Sequence, residues 1–277
     1  MKIQAVSLAS LVVAVVLGVS CTAGAQTPQV PPQQGFRLHD QKQVDRFVVQ
    51  RWVDSANPEV SPAGFCECIT VVYEGTRRLF TPALDTGILA VSAVTDVTGD
   101  KRAELVLSSH SGGAHCCYTT SIYSVEPGSA TPKAILNLST DDCSGELEDL
   151  DKDGVAEFRT CDPVFGYAFC SFAFTPFPPA VFAYDRQKGE FVLSTVRYAR
   201  YLQLQSEADA LAIVKEYPND AEAARCSALG AALGLIYTGR VAEGQALFRK
   251  LYRSADAAAV ETKALEMARA SSLWMER

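Results

Sequence analysis

Two acidic loops of matching layout carry most of the chemistry this chain can offer. The first runs Asp96-Val97-Thr98-Gly99-Asp100-Lys101-Arg102-Ala103-Glu104, and the second, 53 residues further on, Asp149-Leu150-Asp151-Lys152-Asp153-Gly154-Val155-Ala156-Glu157. Oxygen-bearing side chains stand at positions one, three, five and nine of each: Asp96, Thr98, Asp100 and Glu104, then Asp149, Asp151, Asp153 and Glu157. Oxygens so spaced can wrap one hard cation at the distances calcium prefers, about 2.3–2.6 Å. The expected role is structural Ca2+ binding, since carboxylates committed to a cation make poor acid–base pairs. The competing reading is a pair of plain acidic turns, because Asp, Gly and Lys are ordinary turn residues.

A second cluster lies between the loops. His110-Ser111-Gly112-Gly113-Ala114-His115-Cys116-Cys117 holds two of the three histidines and two adjacent thiols. His110, His115, Cys116 and Cys117 could ligate a soft metal or supply an activated thiol, so a thiol- or transition-metal-dependent enzyme or redox protein is the alternative function. Neighbouring residues on a strand point to opposite faces, however, so disulfides to different partners are the plainer expectation for Cys116 and Cys117. No Gly-x-Ser-x-Gly elbow, phosphate loop or dinucleotide fingerprint is present, and no catalytic residue is assigned.

The elements that must hold these loops are mainly β. Between residues 63 and 200, short apolar runs such as Ile69 to Tyr73, Ile88 to Val94, Leu105 to Leu107, Tyr118 to Tyr123 and Ala180 to Tyr184 alternate with Gly, Pro and Asp. β-branched and aromatic runs so punctuated predict antiparallel sheets, propeller-blade-like or sandwich-like. Pro176, Pro178 and Pro179 predict an edge or a loop. Residues 26–62 predict a flexible Pro/Gln lead, then a helix from Gln41 to Asp54, where Val44, Phe47, Val48 and Trp52 recur at three- and four-residue spacing. Residues 206–277 turn to Ala, Leu, Glu and Arg and predict a small all-α domain, with Ser206 and Asp220 as helix caps.

Residues 1–25 predict a signal peptide: Lys2, an apolar run from Ala5 to Val19, then Ala23-Gly24-Ala25. Cys21 follows Gly18-Val19-Ser20, which lacks the Leu of a lipobox. A periplasmic or secreted protein with no transmembrane segment in its mature chain is expected. Loss of Lys2 with the leader takes the formal charge from −7 to −8, which excludes nucleic acid as a natural partner and leaves a protein or cell-surface partner. Eight cysteines then remain, 105 pairings are open, and Cys226 is the one that lies beyond the β-rich part. Full oxidation would make Cys226 bridge back to that part; the alternative is a thiol buried beside Leu229 and Leu233.

The loops resemble the FG-GAP/VCBS repeats of integrin-α-like and bacterial surface proteins, whose signature is a D-x-D/N-x-D-G-x-x-D loop between strands. The resemblance spans roughly Ile88 to Phe191 and implies two further ligands, the backbone carbonyls of Arg102 and Val155. Both loops end in Glu where the family has Asp, and Lys101 stands in the first where Gly154 stands in the second. The first site is therefore expected to be the weaker, from strain at Lys101 and from the charges of Lys101 and Arg102. Such repeats commonly build seven-bladed propellers, for which two repeats are too few, so a small sheet or sandwich of propeller-like units is expected. In the helical part, Ala231 to Tyr237, Gly239 and Ala246 to Phe248 resemble a degenerate tetratricopeptide hairpin.

Overall fold

The fold was analysed in a computed structural model that describes residues 27–59, 68–82, 88–113, 116–126, 128–129 and 131–275. The expected leader, Cys66 and His115 lie outside the described residues. Three four-stranded antiparallel sheets follow one another in chain order. Sheet one is β1 (Phe36–Val44), β2 (Phe47–Asp54), β3 (Cys68–Glu74) and β4 (Arg77–Phe80). Sheet two is β5 (Ile88–Thr95), β6 (Glu104–Gly113), β7 (Cys116–Ser124) and β8 (Lys133–Thr140). Sheet three is β9 (Glu146–Glu148), β10 (Glu157–Cys161), β11 (Pro179–Asp185) and β12 (Glu190–Leu193). Within each, every strand pairs with the next one along the chain, so each sheet is a meander.

Period-two alternation stacks the sheets. On β6, Leu105 and Leu107 face sheet one and pack with Phe47, Val49, Val72 and Leu79. Val106, between them, points the other way and joins Phe158, Ala180 and Phe182 of sheet three. β2 divides in the same manner, with Phe47 and Val49 on one face and Val48 and Trp52 on the other. β11 likewise sends Ala180 and Phe182 inward and Val181 and Ala183 outward. The fold is thus mainly β with a helical C-terminal part, as expected, and these strands are continuous apolar runs because both of their faces are buried.

That double burial corrects the helix expected over Gln41 to Asp54, which is instead the β1–β2 hairpin. Phe47 and Val48 lie on opposite faces of β2 and Val44 closes β1, so a three- and four-residue spacing of apolar residues arises with no helix present. Asp45 takes a left-handed φ of 52° to make the turn. The Pro/Gln lead is pinned in part: Thr27 Oγ1 donates to the Gly75 carbonyl at 3.1 Å, and the Gln50 amide to the Pro28 carbonyl at 3.2 Å.

The helical part comprises α1 (Thr195–Tyr198), α2 (Glu207–Glu216), α3 (Ala221–Tyr237), α4 (Val241–Leu251) and α5 (Ala257–Ala270). Ser206 and Asp209 form a capping box on α2, and the Asp220 carboxylate caps α3. The α3–α5 core takes in Phe165, Phe169 and Cys170 from the segment between β10 and β11. A disulfide from Cys170 to Cys226 fastens that segment to α3, so Cys226 does bridge back to the β part, while its side chain also packs with Leu229 and Leu233. Cys143 and Cys161 form another disulfide, and Cys68 and Cys117 are each disulfide-bonded. No helix among the described residues is long and apolar enough to cross a membrane.

Candidate metal centre

Each acidic loop joins the first two strands of its sheet, loop one between β5 and β6, loop two between β9 and β10. Their internal wiring corresponds in large part, loop one adding bonds from Thr98 N and Gly99 N to Asp96 Oδ1. The first carboxylate caps the turn: Asp96 Oδ2 accepts from the Lys101 N–H at 2.6 Å, and Asp149 Oδ2 from the Gly154 N–H at 3.0 Å. The fifth does the same two residues on, Asp100 Oδ1 accepting from Arg102 N and Asp153 Oδ1 from Val155 N, both at 2.8 Å. The ninth reaches back, so that Glu104 Oε2 accepts from Val97 N and Glu157 Oε2 from Leu150 N, both at 3.0 Å.

Both loops turn through the same two left-handed residues. Gly99 (φ 75°) and Lys101 (φ 67°) in loop one correspond to Lys152 (φ 62°) and Gly154 (φ 90°) in loop two. Lys101 is strained as expected, but Lys152 carries the same strain four residues into its own loop. Each loop holds one Gly and one Lys in this region, so backbone strain does not make loop one the weaker; only the charge argument survives.

Oxygens converge in loop two only; among the described residues Asp96, Asp100 and Glu104 of loop one form no such group. One carboxylate oxygen from each of Asp149, Asp151 and Asp153 lies within 4.8 Å of the others, an arrangement compatible with a shared cation. At loop position three both loops leave an oxygen buried and unpartnered: Asp151 Oδ1 in loop two and Thr98 Oγ1 in loop one. Thr98 is only 7% exposed. Its hydroxyl is close enough to Asp100 to favour the ionised carboxylate, yet outside hydrogen-bond geometry. A buried oxygen without a partner is costly, and a cation would satisfy it.

The closing glutamates sit in a poor environment for a bare charge. Burial pushes Glu104 up to about 7, with Asp100 and Asp96 adding to the rise and the Val97 N–H opposing it. Burial raises Glu157 as well, against hydrogen bonds from Leu150 and the Tyr198 hydroxyl. Buried carboxylates beside further carboxylates call for a positive counter-charge.

Loop one finds part of that charge within the chain. Arg102 donates to Asp100 Oδ2 from Nε at 2.8 Å and from Nη2 at 2.5 Å, and reaches Glu126 through Nη1 at 2.5 Å and Nη2 at 3.0 Å. Glu126, Tyr198 and Arg186, whose guanidinium lies over Gly99, escaped the sequence reading. Glu126 belongs to a surface turn 24 residues from Arg102, and neither it nor Tyr198 belongs to a motif. Arg102 and Val155, whose carbonyls the resemblance adds as ligands, stand at position seven of their loops, where their N–H groups donate to Asp100 and Asp153.

The His-Cys cluster is only partly in view. His110 stacks on Tyr118 with ring centroids 4.4 Å apart, and its Nδ1 accepts from the Gly112 N–H at 3.3 Å. Cys117 is disulfide-bonded, so it offers neither a free nucleophile nor a thiolate ligand, and the Cys116 side chain lies outside what is described. No family model, curated protein or solved structure matches this chain.

Proposed function

We propose that the chain is an exported, disulfide-stabilised, calcium-binding β-repeat protein whose two loops hold structural Ca2+ and whose role is structural or partner-binding, in the periplasm or outside the cell. The observation that carries this reading is the orphaned oxygen at position three of both loops, Thr98 Oγ1 and Asp151 Oδ1. Two turns remote in sequence leave the same position unsatisfied, and in loop two it lies within a group of three carboxylates. A cation there would neutralise Asp149, Asp151, Asp153 and Glu157 in loop two, and Asp96, Asp100 and Glu104 in loop one. It would stabilise the state in which the turns are formed.

The disulfides support the exported setting, because such bonds persist in oxidising compartments. The thiol- or metal-enzyme alternative has lost Cys117 and rests on His110, His115 and Cys116. The deciding experiment is thermal unfolding of the oxidised protein in excess calcium and then in excess chelator. Calcium should raise the midpoint, and Asp151→Ala or Asp153→Ala should remove most of that rise. An identical midpoint in both conditions would eliminate the calcium reading.

A further inference from the structure

We infer that loop one is gated by its own arginine: the Arg102 guanidinium holds Asp100 in place of a dication, and loading of the loop requires Arg102 to withdraw onto Glu126. This rests on the reading of both loops as calcium sites. The two loops match in most of their backbone hydrogen bonds, their left-handed residues and their orphaned position-three oxygens. They differ at position seven, where loop one has Arg102 and loop two has Val155. The Val155 side chain turns away to meet Gly99 of the other loop. Arg102 instead folds back on position five and takes Asp100 Oδ2 with two of its nitrogens.

Among the described residues none of Asp149, Asp151 and Asp153 takes part in an ion pair, so no guanidinium holds a carboxylate of loop two as Arg102 holds Asp100. In loop one the same carboxylate must first exchange a guanidinium. Glu126 makes that exchange feasible. It already holds Nη1 and shares Nη2, and its side chain is 65% exposed, so Arg102 can release Asp100 and keep one carboxylate partner. The Arg186 guanidinium over Gly99 adds to the positive charge that an entering dication meets, while Lys101 is matched by Lys152 of loop two. The consequence is a two-step protein: loop two fills first, and loop one fills at higher calcium.

The test is calorimetric titration of the oxidised protein with calcium alone, comparing wild type, Asp151→Ala, Asp151→Ala/Arg102→Ala and Asp151→Ala/Glu126→Gln. Asp151→Ala removes the tighter site and isolates loop one. Arg102→Ala keeps the backbone carbonyl while deleting the guanidinium, and should tighten the remaining site about tenfold, the order expected for removing one charge beside a dication near the surface. Glu126→Gln, which takes away the alternative dock, should loosen it. Arg102→Gln serves as a second variant that retains the aliphatic stem. If the tighter site vanishes with Asp151→Ala but the Arg102 replacements leave the weaker one unchanged, or if wild type shows two equal sites, the gate is wrong and the calcium reading stands. If calcium binds to no variant, both fall.

Discussion

Val155 of the second loop stands directly against Gly99 of the first: a methyl group built on Gly99 would lie 3.0 Å from Val155 Cγ2 and would collide with the Arg186 guanidinium. The loops are 53 residues apart in sequence but adjacent in space, because the shared core of Val97, Val106, Phe158 and Phe182 stacks sheet two on sheet three. Gly99 therefore serves two purposes, a left-handed backbone and a close approach.

Those purposes separate by comparison with Gly154. Its φ of 90° is also left-handed, but a Cβ there would meet nothing within 4 Å. Gly154→Ala should cost only the backbone term, about 1–2 kcal/mol. Gly99→Ala should cost that and the displacement of Val155 and Arg186, giving the larger loss. Urea midpoints in chelator measure the difference, and a Gly99→Ala protein as stable as Gly154→Ala would show that the loops do not touch as described.

Asp162 joins the sheets to the helices. Its carboxylate is 2% exposed and accepts from the Tyr237 hydroxyl at 2.7 Å, from the Ser271 hydroxyl and from Val164 N at 3.0 Å. Burial and this negative neighbour drive the Tyr237 phenol well above its ordinary range, which keeps it a donor. Asp162→Ala would strand the buried Tyr237 hydroxyl and two half-buried donors and should cost about 3 kcal/mol, whereas Asp162→Asn keeps an acceptor and should cost less. Equal losses in denaturant titrations would mean that the carboxylate oxygens do not organise this junction.

Much of this was legible in the residues, and the failures have physical causes. The loops could be found because their oxygens recur at fixed positions, and the starts of α2 and α3 because Ser206, Asp209 and Asp220 are capping types. The β1–β2 hairpin was not, because a strand buried on both faces loses the alternation that marks a strand. The strain at Lys152 was invisible until the backbone showed Lys and Gly exchanging places between the loops. Arg102 was read for its charge, but its attachment to both Asp100 and Glu126 depends on a turn brought near by the pairing of β6 with β7. The cysteine pairing was open by count alone, and folding chose Cys143 with Cys161 and Cys170 with Cys226.

In calcium-free protein Glu104 should make stability depend on pH in an unusual direction. Its ordinary value of 4.5 is raised to about 7, chiefly by burial. A carboxyl raised on folding holds its proton more tightly folded than unfolded. Its contribution is complete below about pH 4.5 and is lost as pH rises through about 7. The stability of wild type relative to Glu104→Gln, measured in chelator, should therefore increase as pH falls from about 8 to about 5. Glu157 is raised for the same reason but is present in both proteins, so it cancels. A difference that stays flat across this range would show that Glu104 is not buried as a bare carboxyl.

The two described disulfides should contribute unequally. Cys170–Cys226 closes 56 residues and Cys143–Cys161 closes 18. By loop-closure entropy the longer link stabilises by about 4 kcal/mol and the shorter by about 3 kcal/mol, through restriction of the unfolded chain. The longer one also seals a core, since Cys170 and Cys226 are buried among Phe165, Phe169, Leu229 and Leu233. Cys170→Ala/Cys226→Ala should lower the urea midpoint more than Cys143→Ala/Cys161→Ala. Because Val97 and Leu150 of the acidic loops pack in clusters other than the one around Cys170 and Cys226, the midpoint gained on adding calcium should survive the Cys170→Ala/Cys226→Ala change. Loss of that gain would mean that the helical part and the loops unfold as one unit, with the Asp162 junction carrying the coupling between them.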